Sequence, residues 1–180
     1  MTVKFKLPDG TEKELMPVLE HYTVYDYMLK AKHGLAIVLF AQNEETGKYD
    51  VSYPFVTKSF GEFIGMKNSV YIDLNNCPFA VDLLKQGFAE DTGLTKHSGR
   101  CVYPLWTFKE EFLKEIGAEN YKIYSDEYDH YMKGVFGDED EYISLFFDNY
   151  FSETEAIGAI EGDKLAAMLF LLPMKVKTGE

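Results

Sequence analysis

Cys77 and Cys101 flank a segment that holds His97, and these three residues come nearest to a site for metal or thiolate chemistry. Zinc takes four ligands from Cys, His or carboxylate, usually as close-spaced pairs. Two isolated cysteines and one histidine fall short of that set. A cysteine nucleophile needs a base beside it and a lowered pKa. Cys77 has half of that environment, because Asn76-Cys77-Pro78 reads as a helix start, and His21, His33 or His97 would have to supply the base. No motif surrounds any of them. Ser98-Gly99 lacks the flanking glycines of a nucleophile elbow. The sequence also has no phosphate loop, metal-binding histidine pair or dinucleotide turn. The expectation is a non-enzyme with no metal and no cofactor. Cys77 and Cys101 then read as small buried thiols, reduced in a cytoplasmic protein; a disulfide would need their Cα atoms within about 7 Å.

Charge is the other chemistry on offer. Thirteen of the thirty carboxylates lie between Glu119 and Asp163, against only Lys122 and Lys133, a net −11 within a chain of net −12. Charge confined to one quarter of a small protein makes a localised negative field, which repels nucleic acid and attracts a basic surface. Asp126, Glu127, Asp129, Asp138, Glu139, Asp140, Glu141 and Asp148 would present carboxylates as DNA presents phosphates, about one charge per 1.7 Å of duplex axis. Tyr128, Tyr131 and Tyr142 stand among them as aromatic anchors, since tyrosine is common at interface hot spots. The plain alternative is a solvated face that only keeps a helix in water. Fourteen phenylalanines and thirteen tyrosines suit base stacking only beside a basic groove, so direct nucleic-acid binding is not expected. The expected partner is a basic protein.

These groups must be positioned by a chain of 180 residues, 46% of them hydrophobic, enough for one well-buried core or one core and a small appendage. Val3–Leu7, the turn Pro8-Asp9-Gly10 and Thr11–Met16 predict a β-hairpin. Tyr22–Lys32 has no clean period. Gly34–Ala41 is short and apolar, which predicts a buried strand. Tyr49–Thr57 is a strand that Pro54 confines to an edge or bulge, and Ser69–Leu74 is another short strand. A helix follows, capped by Asn76 and closed by Gly87. Ala89–Gly99 has the composition of a loop, and Cys101–Trp106 is extended. Thr107 to Glu110 forms a capping-box pattern before a helix over Glu111–Ile116 that Gly117 stops.

A domain boundary is expected near Gly117–Asn120, dividing residues 1–117 from 118–180. Beyond it, Tyr121–Lys133 reads as helical. Asp138–Phe151 is the clearest helix, its aromatic stripe recurring every three and four residues. Ala156–Ile160 and Leu165–Leu172 read as a C-terminal hairpin. The fold class is α+β: an antiparallel sheet with a few short helices, plus the acidic helix and that hairpin. No apolar run is long enough to span a bilayer, so no membrane partner is expected. An open edge at Leu165–Leu172 favours pairing with another chain, which makes a homodimer a reasonable expectation.

Asp73-Leu-Asn75-Asn76-Cys77-Pro78-Phe79 and Ser98-Gly99-Arg-Cys101-Val-Tyr103-Pro104 together resemble the pattern of a family of small proteins from gut Firmicutes, often carried on plasmids and other mobile elements. Leu35-Ala36-Ile37 fits the same pattern, and the likeness covers about residues 1–117. It implies an accessory protein of a mobile element and carries no chemistry to transfer. Residues 136–173 are similar to the opening of GNAT acetyltransferases, an acidic Phe-rich helix followed by a hairpin. The glycine-rich turn that would hold the acetyl-CoA pyrophosphate is not in the sequence. Charge placement and the mobile-element likeness together point to an acidic, DNA-mimicking inhibitor of a host defence enzyme, of anti-CRISPR or anti-restriction type, with a nuclease or CRISPR effector as target. An incomplete acetyltransferase and an accessory domain without inhibitory role are the alternatives.

Overall fold

A computed structural model describes residues 1–136, 155–161 and 164–171. Alternation in Val3–Lys6 (β1) buries Val3 and Phe5 and leaves Lys4 and Lys6 in water. The turn that follows is tied by Asp9, whose Oδ1 accepts from the Thr11 amide and hydroxyl at 2.9 and 2.7 Å, a local bond typical of Asp in turns. The returning strand runs much further than expected, over Glu12–Tyr25 (β2), and pairs with Ala31–Gln42 (β3) from Leu15↔Ala41 to Tyr25↔Ala31. The aperiodic stretch Tyr22–Lys32 is therefore two strand ends and a turn. Leu35 to Leu39 are all buried, as a continuous apolar run requires when both strand faces are covered. Tyr49–Phe55 (β4) completes an antiparallel sheet in the order β1-β2-β3-β4, with register shifts beside it and Pro54 on the edge strand.

A second antiparallel sheet contains Thr57–Lys58 (β5), Ser69–Ile72 (β6), Ala89–Ser98 (β7) and Cys101–Phe108 (β8), in the order β5-β6-β8-β7. The loop expected at Ala89–Gly99 is corrected: its polar residues form the edge strand β7, mostly exposed and bulged between Asp91 and Thr95. The expected helix after Asn76 is a 3₁₀ turn, Pro78–Ala80, then five residues, Val81–Lys85 (α1), with no side-chain cap. Asn76 donates instead to Asp73. Gly87 closes α1 as expected: at φ +76° it donates to the Leu84 carbonyl while Phe88 donates to that of Leu83, the paired bonds of a left-handed helix end. The capping box is also corrected. Thr107 lies within β8, its hydroxyl 2.7 Å from that of Ser69.

The last helix of the described chain is Glu110–Phe136 (α2), with Gly117 in a non-helical conformation (φ 176°, ψ 72°). Gly117 interrupts the helix as a kink rather than ending it. A Cβ there would lie 2.8 Å from Leu19 Cβ and 3.3 Å from the Leu19 carbonyl, so the bend depends on a residue with no side chain. Past the kink, Tyr121, Tyr124 and Tyr128 recur at three and four residues and enter the same core as Phe5, Leu19, Ile37, Trp106 and Phe108. The domain boundary at 117/118 is thereby corrected: one compact unit runs Met1–Met132, and a second Lys133–Glu180. Each fully buried Leu, Ile or Phe contributes about 1.5–3 kcal/mol relative to exposure.

In the second unit, Glu155–Glu161 (β9) and Lys164–Leu171 (β10) form an antiparallel hairpin with an irregularity between Leu165 and Ala167. The architecture is α+β with antiparallel sheets, as the sequence predicts. The predicted helix Asp138–Phe151 lies outside the described residues. Among the described residues no helix is long and apolar enough to cross a membrane.

Candidate partner-binding surface

The second half of α2 brings Asp126, Glu127, Tyr128, Asp129 and Tyr131 to one stretch of helix, but not as a free polyanion. Asp126 pairs with Lys122 one turn earlier. Glu127 Oε2 accepts from the His33 backbone amide at 2.7 Å and from His33 Nδ1 at 2.9 Å. Both oxygens of Asp129 accept from Lys67 Nζ, at 2.6 and 2.7 Å. These pairs are largely solvent-exposed and each is worth no more than about 1 kcal/mol, yet each sets a donor or a positive charge against a carboxylate. Tyr128 is no anchor for a partner: it is 6% exposed, donates to the Gly65 carbonyl at 2.7 Å, and stacks on Phe63. Tyr131 is half-buried, edge-on to Phe63 and beneath Lys32 Nζ at 5.4 Å. Asp138, Glu139, Asp140, Glu141, Tyr142 and Asp148 lie outside the described residues.

The histidines do structural work that the sequence does not reveal. His21 Nε2 donates to the Asn120 carbonyl at 2.8 Å, and Asn120 Nδ2 donates to the Leu19 carbonyl at 2.6 Å. With Gly117 lying against Leu19, these bonds fasten β2 to the kink of α2. The His21 and His33 rings meet edge to face at 4.7 Å. Partial burial pushes the His21 pKa down, and the neighbouring His33 lowers it further. Cys77 has the opposite of a nucleophile's environment: it is fully buried, its thiol donates weakly to the Phe55 carbonyl at 3.6 Å, and burial pushes its pKa up to about 11. Cys101 is half-buried in β8, and both thiols are free.

The blocks around Asn76-Cys77-Pro78 and Cys101-Val-Tyr103-Pro104 lie side by side. Asn75 Nδ2 donates to the Val102 carbonyl at 3.3 Å, joining the two blocks. Pro78 starts the 3₁₀ turn, Ser98 to Cys101 form the β7–β8 turn with Gly99 at φ +60°, Tyr103 is buried edge-on to Phe60, and Pro104 sits opposite Thr95. An open groove of about 440 Å³ adjoins these blocks, lined in part by Tyr22, Phe55, Lys58, Asp73 and Asn76. Asp73 is already engaged there by Asn76, at 2.7 Å from its side-chain amide.

Among the described residues the most conspicuous surface feature is the β2–β3 turn, where Tyr27, Met28 and Leu29 are 76%, 57% and 81% exposed and Tyr25 is 49% exposed. Periodicity gave no sign of it, because a tight turn has no repeat. Asp26, 6% exposed, holds the turn from inside: its Oδ1 accepts from the Met28 and Lys30 amides, both at 2.9 Å. Leu29 adopts φ 59°, a left-handed conformation that costs a bulky residue about 1–2 kcal/mol. Among the described residues, no group of three or more His, Cys, Asp or Glu side chains could hold a metal ion. Comparison with protein-family models, with curated proteins and with solved structures finds no match for the chain.

Proposed function

We propose that the protein is a non-enzymatic binding protein that inhibits a basic, nucleic-acid-processing defence enzyme in the cytoplasm, in the manner of anti-CRISPR and anti-restriction proteins. The observation that carries this is where the sequence sets acidic residues together with no basic ones between them. Asp126, Glu127 and Asp129 of α2 each meet a donor or a positive charge within the first unit, whereas residues 134–163 contain nine Asp or Glu and no Lys, Arg or His. The polyanion-like element therefore moves off α2 and into the second unit, with Asp138, Glu139, Asp140, Glu141 and Asp148 as its contact residues. Such a segment steers a basic partner and binds it less tightly as salt rises.

The test is capture of a basic nuclease or CRISPR effector from host lysate at low and high salt. Replacing Asp138 and Asp140 by Asn, and Glu139 and Glu141 by Gln, should abolish salt-sensitive capture, whereas Asp129→Asn should leave it intact. Capture indifferent to salt, or unchanged by the fourfold replacement, would remove the basis for this reading. The β9–β10 hairpin favours a second reading, an incomplete acetyltransferase acting with another chain. Calorimetry with acetyl-CoA separates the two, since micromolar binding belongs only to the enzyme.

A further inference from the structure

We propose that the turn between β2 and β3 is a docking knuckle for a protein partner whose surface offers an apolar pocket rimmed by carboxylates. Tyr27, Met28 and Leu29 are the three most exposed large apolar side chains among the described residues, and they are consecutive. Scattered exposed apolar residues need no explanation, but a contiguous group on a projecting turn marks an interaction site. The backbone beneath them is fixed on both sides of the turn. Asp26 accepts from two amides there; its own amide donates to the Lys30 carbonyl at 3.1 Å, and that of Leu29 donates to the Asp26 carbonyl at 2.9 Å. At the base, the Tyr25 amide donates to the Gly61 carbonyl and that of Phe63 to the Tyr25 carbonyl. A turn held this way loses little freedom when a partner closes over it. Holding leucine in the left-handed region, where glycine would be relaxed, favours a role for that side chain over one in stability.

Charge selects the occupant. Lys30 and Lys32 flank the apolar tip; neither forms an ion pair among the described residues, and Lys32 Nζ lies over the Tyr131 ring, which leaves Lys30 as the freer charge. Within the turn the Asp26 carboxylate is buried and accepts from two amides, and nearer its base Glu62 and Glu127 are held by Lys96 and His33. The tip is thus an apolar point with a positive rim on a chain of net −12. An anionic membrane would attract the rim but repel the molecule, so a protein pocket with a local acidic edge fits better. The inference stands apart from the acidic segment, and either can fail without the other.

The test places a photoreactive phenylalanine analogue at position 27 or 29 of the full chain, irradiates it in host lysate and maps the adducts by mass spectrometry. Both positions should join the same protein, at apolar residues with Asp or Glu close by on its surface. Lys30→Glu combined with Lys32→Glu, with the analogue at position 27, should cut the adduct yield about tenfold or more, as loss of interface anchors does. Leu29→Gly should cut the position-27 adduct as strongly while leaving the unfolding midpoint unchanged or raised, which separates docking from folding. Adducts only to a second copy of the chain, co-sedimentation with vesicles of phosphatidylcholine and phosphatidylglycerol, scattered or absent adducts, or a yield indifferent to the lysine changes would each overturn it.

Discussion

Tyr124→Ala tests whether the chain after Gly117 belongs to the first core. The ring is buried in that core, and its hydroxyl accepts from the Asn68 amide at 2.9 Å. Removing a large buried ring costs about 3–5 kcal/mol. The Asn68 amide then loses its acceptor, a further penalty of about 1–3 kcal/mol wherever water does not replace it. Asn68 itself sits at φ 62°, so the bond also holds a left-handed residue in place. The combined loss is comparable with the whole stability of a typical domain, about 5–15 kcal/mol. The assay is urea unfolding followed by far-ultraviolet dichroism and by Trp106 fluorescence. The expected result is one transition shifted strongly to lower urea by both probes, with Tyr124→Phe recovering most of the ring's contribution. A loss below about 1 kcal/mol, or a helical signal that melts while Trp106 stays buried, would refute the placement of α2 in the core.

Three further outcomes follow from the geometry. Gly117→Ala should destabilise by about 1–3 kcal/mol through overpacking, because the new Cβ meets Leu19 backbone as well as side chain; calorimetric unfolding checks this. The lowered His21 pKa means that the unfolded chain binds that proton more tightly. Its stabilising effect is complete above the ordinary histidine pKa of about 6.5 and is lost as the pH falls from there through the lower folded value. Urea midpoints at pH 7.5, 6.5 and 5.5 should fall in that order, and His21→Gln should flatten the slope. Cys101 should react with a thiol reagent at pH 8 well before Cys77, whose thiol is buried and raised to about 11; equal rates in the folded protein would contradict its burial.

Much of the first sheet could be read from residue order alone. Alternation in Val3–Lys6, the turn at Pro8-Asp9-Gly10 and the apolar run at Gly34–Ala41 are local signals, and local sterics and side-chain period decide them. Residue order likewise showed no apolar run long enough for a membrane-spanning helix and located the acidic stretch. The tertiary structure decided what each element packs against. The polar strand β7 exists because β8 completes its hydrogen bonds. Glycine at 117 bends α2 rather than ending it because Leu19 sits where a side chain would be, and three tyrosines then fill the first core. The α2 carboxylates were the most misleading residues in the sequence. Lys122 is one turn from Asp126, but the partners of Asp129 and Glu127, Lys67 and His33, lie 62 and 94 positions away, and no pattern within the helix encodes a neighbour supplied by another strand or loop.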